Sequence, residues 1–163
     1  MKKFKSLFLV AAVVLLFSFF ALASGSSDTD NQGSDSAESS EENGNLGEYK
    51  VEIDSCRLAE DYEGKDVVIV KYIFTNNSDD STAFYTAFDD TVYQDGVGLN
   101  ESYVVDESAN YSADNQTKEI KKGASLEVEV AYELNDTTTD IEVEVKELIS
   151  FSDDVVTKSF SIN

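Results

Sequence analysis

Leu126-Glu127-Val128-Glu129-Val130-Ala131-Tyr132-Glu133-Leu134 places a large apolar residue at every second position, with three glutamates and one alanine between them. A period of two belongs to a strand with one face on a core and the other in water. Past the turn signal Asn135-Asp136, Ile141, Val143 and Val145 interleave with Glu142, Glu144 and Lys146 in the same way. Two such runs with a turn between them predict an antiparallel hairpin. Upstream, Val67 to Phe74 is apolar on nearly both sides. Val68, Val70, Tyr72 and Phe74 fall on one face, and Val67, Ile69 and Ile73 on the other. A strand covered on both faces belongs in the middle of a sheet.

The remaining segments follow the same period. Val51 and Ile53 alternate with Lys50, Glu52 and Asp54. Asn76 to Asp80 reads as a turn, Thr82 to Phe88 and Thr91 to Gln94 as strands, and Asp95-Gly96 as the next turn. Val156, Phe160 and Ile162 suggest a last short strand. No segment after residue 47 keeps a helical period for three turns. About seven short strands over residues 48–163 predict an all-β fold, an immunoglobulin-like antiparallel β-sandwich. The chain has no proline, and the glutamates on the outer faces serve to discourage edge-to-edge pairing.

Toward the N-terminus the composition changes twice. Lys2, Lys3 and Lys5 precede an apolar run from Leu7 to Leu22 that only Ser18 interrupts. With small residues at Ala21 and Ala23, residues 1–23 read as a signal peptide cut between Ala23 and Ser24. A cut after Gly25, or retention of the run as a membrane anchor, is the alternative; either puts the rest outside the cytoplasm. Residues 24–47 hold seven serines, four glycines and six acidic residues, with no Lys or Arg. So little apolar surface cannot offset the entropy of ordering, so the segment reads as a disordered, acidic, Ser/Gly-rich linker. Asp28-Thr29-Asp30-Asn31-Gln32-Gly33 imitates the start of a calcium loop, but its twelfth position is Ser39, where a bidentate Glu is required.

Charge limits the choice of partner. The chain has 12 Lys+Arg and 33 Asp+Glu, and three of the lysines precede the apolar run. Nine basic residues against 33 acidic ones exclude a phosphate-tracking surface, so neither nucleic acid nor anionic membrane is an expected partner. The expected partner is a protein or a cationic surface, with membrane contact only if the N-terminal run is retained. The single Cys56 excludes an internal disulfide and reads as a small buried hydrophobe.

Nothing in the residues composes a catalytic site. With no His, the Ser/His and Cys/His nucleophile pairs are impossible. Asp79-Asp80, Asp89-Asp90 and Asp153-Asp154 offer carboxylates, but neighbours in a strand point to opposite faces. A hydrolase needs two carboxyls about 5–10 Å apart in one cleft. The same doublets, if loops brought them together, are the candidates for a Ca²⁺ site; no metal or cofactor is expected. The tyrosines between Tyr85 and Tyr111 read either as core and rim residues or as a recognition surface.

Several short motifs occur in order. They are Asn45 to Ile53, Asp61 to Lys65, Tyr72-Ile73-Phe74-Thr75-Asn76-Asn77-Ser78, Gln94-Asp95-Gly96, Lys122-Gly123-Ala124 and Ala131 to Asp136. Together, over Leu46 to Ile162, they resemble the bacterial exported "domain of unknown function 5067" family. The resemblance implies an immunoglobulin-like fold and a cell-envelope location, and it brings no activity or catalytic residue. Many relatives end their signal in a lipid-bearing Cys; Leu22-Ala23-Ser24-Gly25 has none, so no lipid anchor is expected. The chain is expected to be a non-enzymatic binding or interaction module, secreted or on the outer face of the envelope. The competing expectation is a structural spacer of the envelope.

Overall fold

The computed structural model describes residues 42–103 and 109–163. The expected signal segment, its expected cleavage pair Ala23-Ser24 and the expected linker up to residue 41 lie outside the described residues.

Two four-stranded antiparallel sheets pack face to face as a β-sandwich. The first holds β1 (Asn43–Leu46), β2 (Tyr49–Glu60), β3 (Asp66–Asn76) and β6 (Ser125–Glu133), in the order β1-β2-β3-β6. The second holds β4 (Phe88–Gln94), β5 (Val97–Gly98), β7 (Ile141–Glu147) and β8 (Val156–Phe160), in the order β5-β4-β7-β8. With β2, β3, β4, β6, β7 and β8 taken as A, B, C, E, F and G, the orders agree with those of a Greek-key sandwich of the immunoglobulin kind. The disulfide and tryptophan that mark antibody domains have no counterpart, since the chain has one Cys and no Trp.

Alternation builds the core. Val68, Val70, Tyr72 and Phe74 of β3 meet Val128, Val130 and Tyr132 of β6, and face Val92, Ile141, Val143 and Val145 across the gap. Each such side chain stabilises the fold by roughly 1.5–3 kcal/mol. β3 is internal to its sheet, as its apolar faces predict; on its second face Val67 and Ile69 are fully buried, whereas Ile73 is partly exposed. Cys56 of β2 is half-buried against the core, opposite Val70, and burial pushes its thiol up.

Three expectations are corrected. The runs of β6 and β7 do not form a hairpin; they lie in different sheets. Their connection is held by Gln94 of β4. Its amide donates to the Asp136 and Thr139 carbonyls, both at 2.9 Å, and its oxygen accepts the Asn135 amide at 2.8 Å. The domain also starts before residue 48. Asn43–Leu46 pairs along β2, and Leu46 is buried in the core, so the linker cannot extend to Gly47. A single apolar residue among Ser, Gly and Glu was enough to anchor it. Finally, Thr82 to Phe88 is not a strand: Phe84–Ala87 forms one helical turn, α1. Ala83, Phe84, Ala87 and Phe88 are all buried, a spacing of three to four that a helical turn satisfies and alternation does not. The turn delivers Phe84 and Phe88 together onto Phe74, with ring centroids 6.2 and 5.5 Å away.

Candidate functional site

β4 reads Phe88-Asp89-Asp90-Thr91-Val92-Tyr93-Gln94, and alternation puts Phe88, Asp90, Val92 and Gln94 on its inner face. Phe88 and Val92 join the core, and Gln94 is bonded to the β6–β7 connection. Asp90 is therefore a carboxylate at a core-facing position. The Tyr132 hydroxyl of the opposite sheet donates to it. The Tyr72 hydroxyl, on β3, is fully buried and within reach of the same carboxylate and of the Tyr132 hydroxyl, but among the described residues its geometry completes no hydrogen bond.

The electrostatics follow from this placement. Burial raises the Asp90 carboxyl to about 6; the Tyr132 hydrogen bond lowers it, and the nearby Glu101 carboxylate raises it. Burial likewise pushes the phenols of Tyr72 and Tyr132 well above their ordinary range. Glu101 sits where residues 100–102 run beside β6: Ser102 donates to the Ala131 carbonyl at 2.7 Å, and Glu133 to the Asn100 carbonyl at 2.9 Å. Next to it, Tyr103 is exposed, and the Glu101 carboxylate pushes its phenol up.

Asp90, Glu101 and Tyr103 line an open cleft of about 400 Å³ at the side of the sandwich, with the buried Tyr72 and Tyr132 behind Asp90 rather than on its wall. α1 and β4 supply Phe84, Tyr85, Phe88, Asp89 and Asp90, and residues 101–103 supply Glu101 and Tyr103. Val130 of β6, Gln116 and Thr117 of a 3₁₀ turn (Ala113–Thr117), and Leu148 complete it. The 3₁₀ turn is tied to the edge of β6 by its own amides. Asn115 donates to the Glu127 carbonyl at 2.8 Å and Gln116 to the Glu129 carbonyl at 2.7 Å, groups that would otherwise invite another strand. A bidentate Arg57–Glu129 pair, at 2.5 and 3.1 Å, stands beside it, and Arg57 also donates to the Ala109 carbonyl. The rim is aromatic and apolar: Tyr85 is 56% exposed, Tyr103 75% and Leu148 48%, with Ile149 and Phe151 exposed just beyond. A second hollow of about 580 Å³ lies over the solvent face of β4 and β7, where Tyr93, Glu142 and Glu144 line it and no buried carboxylate faces it.

The sequence candidates are placed as follows. Asp89 and Asp90 point to opposite faces, Asp79 is exposed and paired with Lys122, and Asp153-Asp154 is an exposed loop. Among the described residues no three His, Cys, Asp or Glu side chains are grouped to hold a metal. Of the tyrosines between 85 and 111, Tyr85 and Tyr103 stand on the cleft, while Tyr111 is half-buried and accepts from Gln116. The pairing of Asp90 with Glu101 had no signal in the spacing. Asp90 alone had one: in Phe88-Asp89-Asp90-Thr91-Val92 it is in register with the two core residues on either side.

The solved structures similar to this chain include the "putative lipoprotein" from Staphylococcus aureus subsp. aureus NCTC 8325. It is 20% identical, with a TM-score of 0.54 over 71% of this chain and 84% of that one. A protein from Enterococcus faecalis, solved by NMR, is 16% identical, with a TM-score of 0.56 over 75% of this chain and 90% of that one. At such identities the likeness shows the fold alone. No curated protein matches the chain. The family model described as "Domain of unknown function (DUF5067)" matches residues 24–147, from the linker through β7, and the chain belongs to that family.

Proposed function

We propose that this domain is an exported, non-enzymatic interaction module that binds a partner protein through the cleft over Asp90. The observation that carries the reading is the carboxylate itself: an ionisable group held on the core side of a strand, at a cost in stability, beneath an open rim of exposed tyrosines. Buried groups of shifted pKa in clefts concentrate at functional sites. A spacer has no need of such a group. The lysine-led apolar segment and the Ala23-Ser24 pair support export, as does the description of the staphylococcal neighbour as a lipoprotein.

A photo-crosslinking amino acid at Tyr85 or Tyr103, in cells producing the full chain, should yield a discrete adduct. The same probe at Val97, equally exposed on the short β5, should not. Adducts that are the same from all three positions, or none from any, would favour the spacer. Intact mass of the protein recovered from the medium, starting at Ser24, tests export.

One observation supports a second reading. Asp90, with its raised pKa, and Glu101 share a cleft, as an acid and base of a glycoside hydrolase would. Against it, the Asp90 carboxylate is engaged by Tyr132 across the sandwich. Turnover of chromogenic glycosides that disappears in both Asp90→Asn and Glu101→Gln would establish the hydrolase instead.

A further inference from the structure

We infer that the group the cleft accepts is the cationic side chain of a lysine or arginine on an extended segment of the partner, seated between the Tyr85 and Tyr103 rings with its charge toward Asp90 and Glu101. The inference rests on the cleft being the binding site. It names what the site recognises.

Charge bookkeeping in the domain points this way. Its ion pairs occupy Glu42, Asp54, Glu63, Asp79, Glu129 and Glu144. Asp90 and Glu101 are in none of them, although all nine cations after residue 23 lie among the described residues. With Asp89, which is in none of them either, three carboxylates therefore line one hollow with no ion pair to a cation of the chain. A separate observation comes from the opposite sheet. The Tyr72 hydroxyl is fully buried, faces Asp90 and has no hydrogen-bond partner among the described residues. That hydroxyl lies behind Asp90, beneath the cleft wall, and is a donor still open to the carboxylate's inner side. An ammonium or guanidinium drawn toward Asp90 would hold the carboxylate ionised and leave the phenols of Tyr72 and Tyr132 as its donors.

The walls suit the same guest. Aromatic faces attract a cation within about 6 Å of the ring centroid. The alkyl stem of a lysine or arginine can lie along apolar surface such as that of Leu148 and Phe84. A free metal ion suits the site less, since no three ligating side chains are grouped among the described residues. A phosphate or carboxylate guest is repelled by Asp89, Asp90 and Glu101 together.

The titratable groups facing Asp90 among the described residues are Tyr72 from β3, Tyr132 from β6, and Glu101 and Tyr103 from the neighbouring loop. None is a cation, so an arriving positive charge must lower the Asp90 pKa. Binding should release protons near pH 6.

The test is an NMR titration of the mature protein with acetyl-Ser-Gly-Lys-Gly-Ser-amide. Its controls are the same peptide carrying ε-acetyl-lysine, an arginine version, and n-butylamine. The lysine and arginine peptides should shift resonances at Asp90, Glu101 and Tyr103 and move the Asp90 carboxyl titration to lower pH. The acetylated twin should bind at least about tenfold more weakly, and so should lysine peptide to Asp90→Asn or Glu101→Gln. Glu142→Gln with Glu144→Gln, on the outer face of β7, should change affinity less than about twofold. Equal binding of the acetylated twin at the cleft would overturn the cation and leave the cleft as a binding site. Equal binding of n-butylamine would overturn the peptide. Shifts confined to the outer faces would overturn the inference altogether, while the crosslinks from Tyr85 and Tyr103 would judge the binding site independently.

Discussion

The hydroxyl of Tyr132, on one sheet, donates to the carboxylate of Asp90, on the other. It is a polar bond across the gap that the rest of the sandwich fills with valine, isoleucine and phenylalanine. Its cost and its purpose are separable by measurement.

Stability should depend on pH through Asp90 with the reverse of the usual carboxylate sign. Folding raises this carboxyl from 3.8 to about 6, so the folded state binds the proton more tightly than the unfolded chain. The stabilisation is complete only well below the unfolded value of 3.8, and the last of it is lost as pH rises through 6. The loss amounts to about 3 kcal/mol by pH 7. Asp54 and Asp136 are shifted downward and act in the opposite direction, so the slope of the parent alone is uninformative. Asp90→Asn isolates it. In urea unfolding, the stability of Asp90→Asn relative to the parent should climb by about 2–2.5 kcal/mol from pH 4 to pH 7, the rest of the change falling below pH 4. A difference that stays flat over that range contradicts the assignment.

Tyr132→Phe removes the donor and leaves the carboxylate half-buried at its core-facing position. A hydrogen bond to a charged group contributes about 1.5–3 kcal/mol, so the loss at pH 7 should fall in that range. The Asp90 carboxyl should titrate still higher. In an Asp90→Asn background the same substitution should cost less, and the double-mutant cycle reads the coupling directly. Additive effects would mean that Tyr132 matters only for packing.

What the sequence made legible divides along a physical line. Period-two alternation located the inward residues of β3, β6, β7 and β8, because burial of one strand face is a local property. Partner choice is not local. The runs around Val130 and Val143 have the same inner face whether they pair at their edges or meet across a core, and Gln94, some forty residues away, ties down the crossover between them. The cleft was half legible. The tyrosines from 85 to 111 were candidates for a surface by their number, but Asp90 looked like one more doublet in an acidic chain. Its register with Phe88 and Val92 was the signal. Glu101 reaches it only through the non-local pairing of residues 100–102 with β6.

The start of the domain can be tested with two chains, one beginning at Glu42 and one at Glu48. The second lacks β1 and the buried Leu46, and it exposes the edge of β2. Leu46→Ala in the longer chain should cost about 2–5 kcal/mol, the range for a buried leucine. The shorter chain should lose at least as much. Matching urea midpoints for the two chains would return the boundary to Gly47.

Lys158 closes the opposite side of the sandwich, and its substitution distinguishes two kinds of contact. The register of β2 slips between Ile53 and Ser55, which interrupts the ladder to β3. The Lys158 ammonium, reaching over from β8, donates to the Ile53 carbonyl at 3.0 Å and the Asp54 carbonyl at 3.1 Å. It also pairs with Glu42 at 3.1 Å and lies 5.1 Å from the centroid of the Phe160 ring. The Lys158 side chain is only 18% exposed, whereas that of Glu42 is 64% exposed. Lys158→Met keeps the stem and removes the donors, leaving carbonyls in a half-buried bulge without partners, at a cost of about 1–3 kcal/mol. Glu42→Gln removes only a solvated ion pair and should cost less than about 1 kcal/mol. Hydrogen exchange at Ser55 and Cys56 should quicken in Lys158→Met and stay as in the parent in Glu42→Gln. If the two substitutions cost the same and exchange alike, Lys158 acts as the partner of Glu42, and the bulge is held by β2 and β3 alone.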